Sequence, residues 1–301
     1  MAFINIDGKN IYIEEYGKNN KKKLLYLHGG PGASCLDFQH QAEAFGKTFH
    51  IITIDQYGVL RSEAMSPDEK YGMKKQIEML EQMRIQLNID KWSLLGHSYG
   101  GTLACLYANL FPNSICSVIY ECPSFNLGLS AKSVAEYLLT YFVGVDDTEG
   151  CTLCKEMQNK TYQENDSVAI QDMINVLALV ADQKTRNYLH SISMNEYIAS
   201  YSTDGISNDM WARSNMHLDK LIEDKLLFSN FLPLLEQNEQ PALLITGKYD
   251  PVCREDQINY FNTHAPRGRT KEFKNSGHFP RIEEKDEYTK CIYEFLNNCA
   301  L

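Results

Sequence analysis

The apolar positions in the first third of the chain fall into short runs that alternate with helical stripes. Phe3–Ile6 and Ile11–Glu14 flank Asp7-Gly8-Lys9-Asn10, the pattern of two strands joined by a hairpin turn. After the lysine-rich turn Lys18–Lys23, Leu24-Leu25-Tyr26-Leu27 is a continuous apolar run that stops at a glycine-rich loop, as a buried strand does at a functional edge. His50–Asp55, Trp92–Leu95 and Ile115–Tyr120 read as three further strands. Between them, Met73, Ile77, Leu80, Met83 and Leu87 recur at three- and four-residue steps. Leu103, Leu106 and Leu110 do the same until Phe111-Pro112 ends the segment, and both spacings predict helices with one apolar face.

The rhythm then breaks. From Pro123 to Phe231 the apolar pattern is helical, with one stripe at Val134, Tyr137, Leu138 and Tyr141 and another, apolar on most sides, across Val168–Ala181. Pro241–Thr246 restores a strand, a helix follows near Asp256–Asn262, and Thr270–Phe273 is the last strand. Tyr288, Cys291, Ile292 and Phe295 share one face of a closing helix. Repeated strand–helix units predict an α/β fold, a mostly parallel sheet flanked by helices. The helical stretch predicts a cap, residues 123–231, inserted after the sixth strand of a core formed by 1–122 and 232–301.

Composition narrows the partners more than the fold. A formal net charge of −10 argues against nucleic acid and against an anionic membrane, since both reward clustered Lys and Arg. The segment Met1–Asp7 has neither a basic leader nor an apolar run of signal-peptide length, and no stretch approaches the ~18 apolar residues of a membrane span, so a cytoplasmic chain with no membrane contact is expected. The nine cysteines are odd in number and scattered from Cys35 to Cys299, unlike a disulfide framework. Cys151 and Cys154 have CxxC spacing, but no second ligand pair and no thioredoxin-like context, and read as a local structural pair. HExxH, GxxxxGK[ST] and GxGxxG patterns are missing from the sequence, so neither a metal nor a nucleotide cofactor is expected.

The chemistry-bearing residues stand where strands end. Gly96-His97-Ser98-Tyr99-Gly100-Gly101 follows one predicted strand and opens a helix, the context of a nucleophile elbow in the α/β-hydrolase fold. A sharp turn there lifts a serine hydroxyl off the sheet edge, and the helix N-terminus behind it favours negative charge. His28-Gly29-Gly30-Pro31-Gly32 follows another strand and can bring backbone N–H groups to a substrate. We assign the N–H groups of Gly30 and Tyr99 as an oxyanion hole, with Gly29 against the substrate and His28 propping the loop. A serine needs a base. Of eight histidines, His278 alone lies in a loop between the last strand and the last helix, at the edge that carries Ser98. His97 is expected to pack. Asp250, directly after the strand Ala242–Thr246, is the acid expected to orient His278; Glu255 and Asp256 fall inside a helix.

Three stretches together, HGGPG at His28–Gly32, Asp55-Gln56-Tyr57-Gly58 and GHSYGG at Gly96–Gly101, resemble the proline iminopeptidase family. SGHFPRIEE at Ser276–Glu284 looks like that family's histidine loop. The family reads DQRG followed by a second glycine and a serine; here Tyr57 stands in place of the arginine, Val59-Leu60-Arg61 in place of the glycine spacing, and Ser62 matches. The resemblance implies a cofactor-free serine hydrolase that removes proline or a small N-terminal residue from short peptides. It also implies cap acids that bind the substrate's α-amino group. Glu196, Asp204 and Asp209 lie in that stretch, Glu196 being the foremost candidate, and Tyr137, Tyr141 and Phe142 are candidate pocket walls. A carboxylesterase or lactonase on small acyl substrates is the alternative within enzymes, and a non-catalytic ligand-binding homologue the alternative outside them.

Overall fold

A computed structural model describes residues 2–299. The hairpin strands are β1 (Ala2–Ile6) and β2 (Lys9–Tyr16), followed by β3 (Lys23–Leu27), α1 (Gln39–Phe45), β4 (His50–Ile54), α2 (Met73–Gln86), β5 (Trp92–His97), α3 (Tyr99–Leu110) and β6 (Ile115–Glu121). A helical insertion comes next: α4 (Leu127–Gly144), α5 (Thr148–Asn159), α6 (Val168–Ala178), α7 (Gln183–Arg186), α8 (Met194–Ile198), α9 (Asn208–Arg213) and α10 (Asn215–Asp224); the short α11 (Leu234–Gln237) follows it and packs into the sheet core. The chain closes with β7 (Ala242–Gly247), α12 (Glu255–His264), β8 (Gly268–Phe273), α13 (Pro280–Glu283) and α14 (Lys285–Asn298).

The strands form one sheet in the order β1-β2-β4-β3-β5-β6-β7-β8. β1 and β2 are antiparallel additions at one edge, and every pairing from β4 to β8 is parallel. Strand side chains alternate between the two faces. Leu25, Ile52, Leu94, Val118 and Leu244 join the core under α2, α3 and α12, while Leu24, Ile51, Leu95, Ile119 and Leu243 join the one under α1 and α14. Burial on both faces explains why these strands read as unbroken apolar runs. The insertion has a third cluster of its own, built from Val134, Leu138, Phe142, Cys154, Met157 and Val176, to which Val252 after β7 contributes. The CxxC pair lies on α5 with both thiols free, Cys154 buried in that cluster. Among the described residues no helix is long and apolar enough to cross a membrane.

Because β3, β5, β7 and β8 run the same way, the loops after them open at one edge. β3 pairs with β4 on one side and β5 on the other, so the chain reverses its winding at the crevice between their ends, where open α/β sheets place ligands.

Candidate active site

Ser98 takes φ 52° and ψ −120° in the turn from β5 into α3. A non-glycine residue holds that conformation only where its surroundings impose it. The neighbouring glycines let them do so: a Cβ on Gly96 would lie 2.1 Å from the Gly100 carbonyl oxygen, and one on Gly100 2.1 Å from that of Leu27. Tyr99 is the first residue of α3, so its N–H has no acceptor within the helix. Across the crevice, Gly30 has φ 108° and lines the same cavity as Ser98. Gly29 lies against the serine, where a Cβ would come 3.1 Å from Ser98 Cβ.

Asp250 and His278 meet from the loops after β7 and β8. The Asp250 carboxylate accepts from the N–H groups of Val252 (3.0 Å) and Cys253 (3.1 Å) and from His278 Nδ1 (2.8 Å). A proton held on Nδ1 leaves Nε2 bare, the tautomer a base needs. Asp250 is 1% exposed and His278 5%, and His278 lines the cavity with Ser98. Cys122 Sγ, an Asp250 oxygen and a His278 nitrogen lie within 4.8 Å of one another, the one potential metal-ligating trio found among the described residues. The bond already joining Asp250 to His278 accounts for two of its members.

The histidine loop is fastened from two sides. Glu283 on α13 accepts from the N–H of Gly277 (2.8 Å) with one oxygen and from those of His190 and Ser191 (2.7 Å each) with the other. The His278 N–H donates to the Tyr188 carbonyl at 2.8 Å, and the His190 ring stacks on Tyr249 at 3.4 Å. Insertion residues 188–191 are thereby tied to both loops that carry the acid–histidine pair. Behind them His97 packs as expected, its ring 4.8 Å from that of His278. Burial, with the positive charge of Arg281 nearby, holds the His97 imidazole well below its ordinary pKa and therefore neutral. Arg281, wholly buried, pairs with Glu121 at 3.0 Å and with Asp37.

The shared cavity measures about 310 Å³. Its polar end holds Gly30, Ser98, Tyr99 and His278, with the hydroxyl residues Thr102, Ser124 and Ser130 nearby; its walls are Leu127, Ile170, Met173, Ile174 and Leu177 of the insertion, with Tyr188, Leu227 and Val252. A larger depression of about 520 Å³, lined by charged residues such as Asp68, Lys74, Lys220 and Glu223, contains neither Ser98 nor His278.

Some expected wall and amine-binding residues lie elsewhere. Glu196 is exposed and caps α8, its carboxylate accepting from the N–H and hydroxyl of Ser193 at 2.7 Å each. It does not line the cavity, and Asp204 and Asp209 are exposed as well. Phe142 is buried in the insertion's own cluster, with Tyr137 and Tyr141 packed against it, and α6 supplies the cavity wall instead. Where the resembled family has arginine at position 57, Tyr57 donates to Glu69 (2.6 Å), and Asp55 finds its guanidinium in Arg61, Nε to Oδ2 2.6 Å. Burial works against ionising Asp55, yet the Arg61 bond and charge hold its carboxyl below the usual range. Nothing in the local sequence marks the Glu283 clamp, because its partners His190 and Ser191 lie about ninety residues away.

A family model described as the alpha/beta hydrolase fold matches residues 22–285. A proline iminopeptidase of Heyndrickxia coagulans is 27% identical over 298 residues, covering 99% of this chain and 98% of that protein. One of Saccharolobus solfataricus is 27% identical over 300 residues, covering 97% and 90%. A solved proline iminopeptidase-related protein from Thermus thermophilus superposes with a TM-score of 0.75 at 16% identity, over 98% of this chain and 96% of that one. That family model spans most of the chain, and the chain belongs to the alpha/beta hydrolase fold family.

Proposed function

We propose that this protein is a serine aminopeptidase that releases N-terminal proline or a small residue from short peptides through an acyl-enzyme. The observation that carries the reading is the Asp250–His278 bond at 2.8 Å, with Ser98 on a strained turn facing the same cavity. The full-length likeness to two proline iminopeptidases supports the choice of an amide substrate. In this reading His278 Nε2 takes the Ser98 proton as Oγ attacks the scissile carbonyl. The N–H groups of Gly30 and Tyr99 hold the oxyanion, each contributing about 3–4 kcal/mol to the transition state. Asp250 stabilises the imidazolium, which then protonates the leaving amine. Water repeats the sequence on the acyl-enzyme, and no cofactor takes part. Residues 123–231 act as a cap over the core of 1–122 and 232–301, roofing the apolar cavity and limiting it to short substrates. A cytoplasmic location and a small-molecule or short-peptide partner fit this role, with no nucleic acid or membrane involved.

The test is hydrolysis of proline and alanine p-nitroanilides alongside p-nitrophenyl acetate and butyrate, with Ser98→Ala as control. Anilide turnover that requires a free α-amine and disappears in Ser98→Ala is the expected result. Ester turnover without anilide turnover would replace the aminopeptidase by an esterase.

A further inference from the structure

The two proposed oxyanion donors come from separate segments, the loop after β3 and the start of α3, and a row of buried side chains joins them. The Tyr99 phenol donates to Gln76 Oε1 (2.7 Å), Gln76 Nε2 to Gln56 Oε1 (2.6 Å), and Gln56 Nε2 to the His28 carbonyl (3.2 Å). The Gln56 N–H donates to His28 Nε2 at 3.1 Å. All four residues are buried.

Every bond in the row has a forced direction. The His28 carbonyl can only accept, so the Gln56 amide nitrogen faces it and the Gln56 oxygen faces Gln76. Gln76 must then offer its nitrogen to Gln56 and its oxygen to the phenol. The Gln56 N–H can only donate, so His28 carries its proton on Nδ1, 3.0 Å from the Gly29 carbonyl oxygen. Burial pushes the His28 pKa down and keeps that neutral tautomer. The Gly29 carbonyl and the Gly30 N–H share one planar peptide and point in opposite directions. Two donors on the Gly29 oxygen, His28 Nδ1–H and the Ala33 N–H at 3.3 Å, therefore fix where the Gly30 N–H points.

We infer that Gln56 and Gln76 are positioning residues that lock the Gly30 and Tyr99 donors into one preorganised oxyanion hole. The inference rests on the acyl-transfer reading above. Neither glutamine lines the cavity, so neither is placed to touch substrate. Packing alone does not call for two buried amides, since apolar side chains would fill the space without polar groups to satisfy. A satisfied polar row instead holds a single geometry, which oxyanion stabilisation requires.

The test uses the full-length protein and a fluorophosphonate probe, whose phosphoryl oxygen occupies the oxyanion position when Ser98 is labelled. Gln56→Met and Gln76→Met keep side-chain length and remove the bonds; Tyr99→Phe removes the phenol and keeps the backbone N–H. Each is expected to slow labelling of the folded protein roughly tenfold. Gln76→Met combined with Tyr99→Phe is expected to be no slower than either alone, because both break the same link. On any substrate the enzyme turns over, kcat falls while KM holds. Tyr99→Phe, which removes a single oxygen, keeps the test open if a glutamine variant fails to fold. Unchanged labelling rates in folded variants, or additive losses in the double variant, overturn the inference alone. A wild-type protein that the probe leaves unlabelled overturns the serine-hydrolase reading and the inference with it.

Discussion

At Ser98 the backbone does what the residue itself disfavours, and the cause is steric. Gly96 and Gly100 let β5, α3 and the end of β3 approach to distances that a methyl group would block. Gly100→Ala is therefore expected to lower stability by about 1–3 kcal/mol, read from urea unfolding, because the opposing atom is Leu27 backbone and cannot swing aside. This requirement is local, so the elbow was legible in six consecutive residues. His217 shows the opposite case. It lies on α10, wholly buried, with Nδ1–H donating to the Tyr57 carbonyl at 2.8 Å, and burial lowers its pKa to about 3. An unfolded histidine titrates at about 6.5. Between these values the unfolded chain binds a proton that the folded chain refuses, so stability falls as pH drops through that window. For one proton the slope is about 1.4 kcal/mol per pH unit. His217→Gln is expected to flatten the acid-side loss of stability, measured as urea midpoints from pH 7 to 4; an unaltered slope would mean His217 is protonated in the folded state. Nothing in the residues flanking His217 announces this, because its surroundings come from Tyr57 and Tyr71, far back in the sequence.

Elements were read well where periodicity and burial coincide. β3, β4, β5 and β7 lie between helical layers and appear as apolar runs, and α2 begins at Met73 as its stripe predicts. α1 escaped notice because only Gln41, Ala42 and Phe45 of its seven residues are buried, too little apolar repetition to stand out. α6 looked apolar on most sides for a physical reason: Ala169 and Val176 join the insertion's own cluster, while Ile170, Met173, Ile174 and Leu177 face the cavity. The clamp made by Glu283 was beyond sequence reading, since its partners His190 and Ser191 lie about ninety residues away. An amide cannot accept on both arms as the carboxylate does. Glu283→Gln is thus expected to speed hydrogen exchange at residues 188–191 and 276–278 together, with little change in the sheet strands. Faster exchange at only one of the two segments would show that the carboxylate does not couple them.

Across the whole molecule, the parallel sheet gathers four loop ends at one edge, and side chains from residues 127–177 line the cavity there. The places of Ser98, Asp250 and His278 beyond strand ends were readable because each follows a recognisable strand. The cavity walls were not, since helices of the insertion are placed by packing at long range. The lining of about 310 Å³ includes no carboxylate, which predicts that substrate side chains bind by apolar contact. Met173→Trp, which fills part of that space, is expected to raise KM several-fold for the larger of two p-nitroanilides while sparing alanine p-nitroanilide; equal effects on both would remove α6 from the acyl pocket.

The most direct test of the account is rapid quenching of the enzyme during turnover of proline p-nitroanilide, followed by peptide mass mapping. A covalent prolyl adduct on Ser98, lost in His278→Ala and diminished in Asp250→Asn, is the predicted result. Steady turnover with Ser98 unmodified, or undiminished in Ser98→Ala, would contradict it.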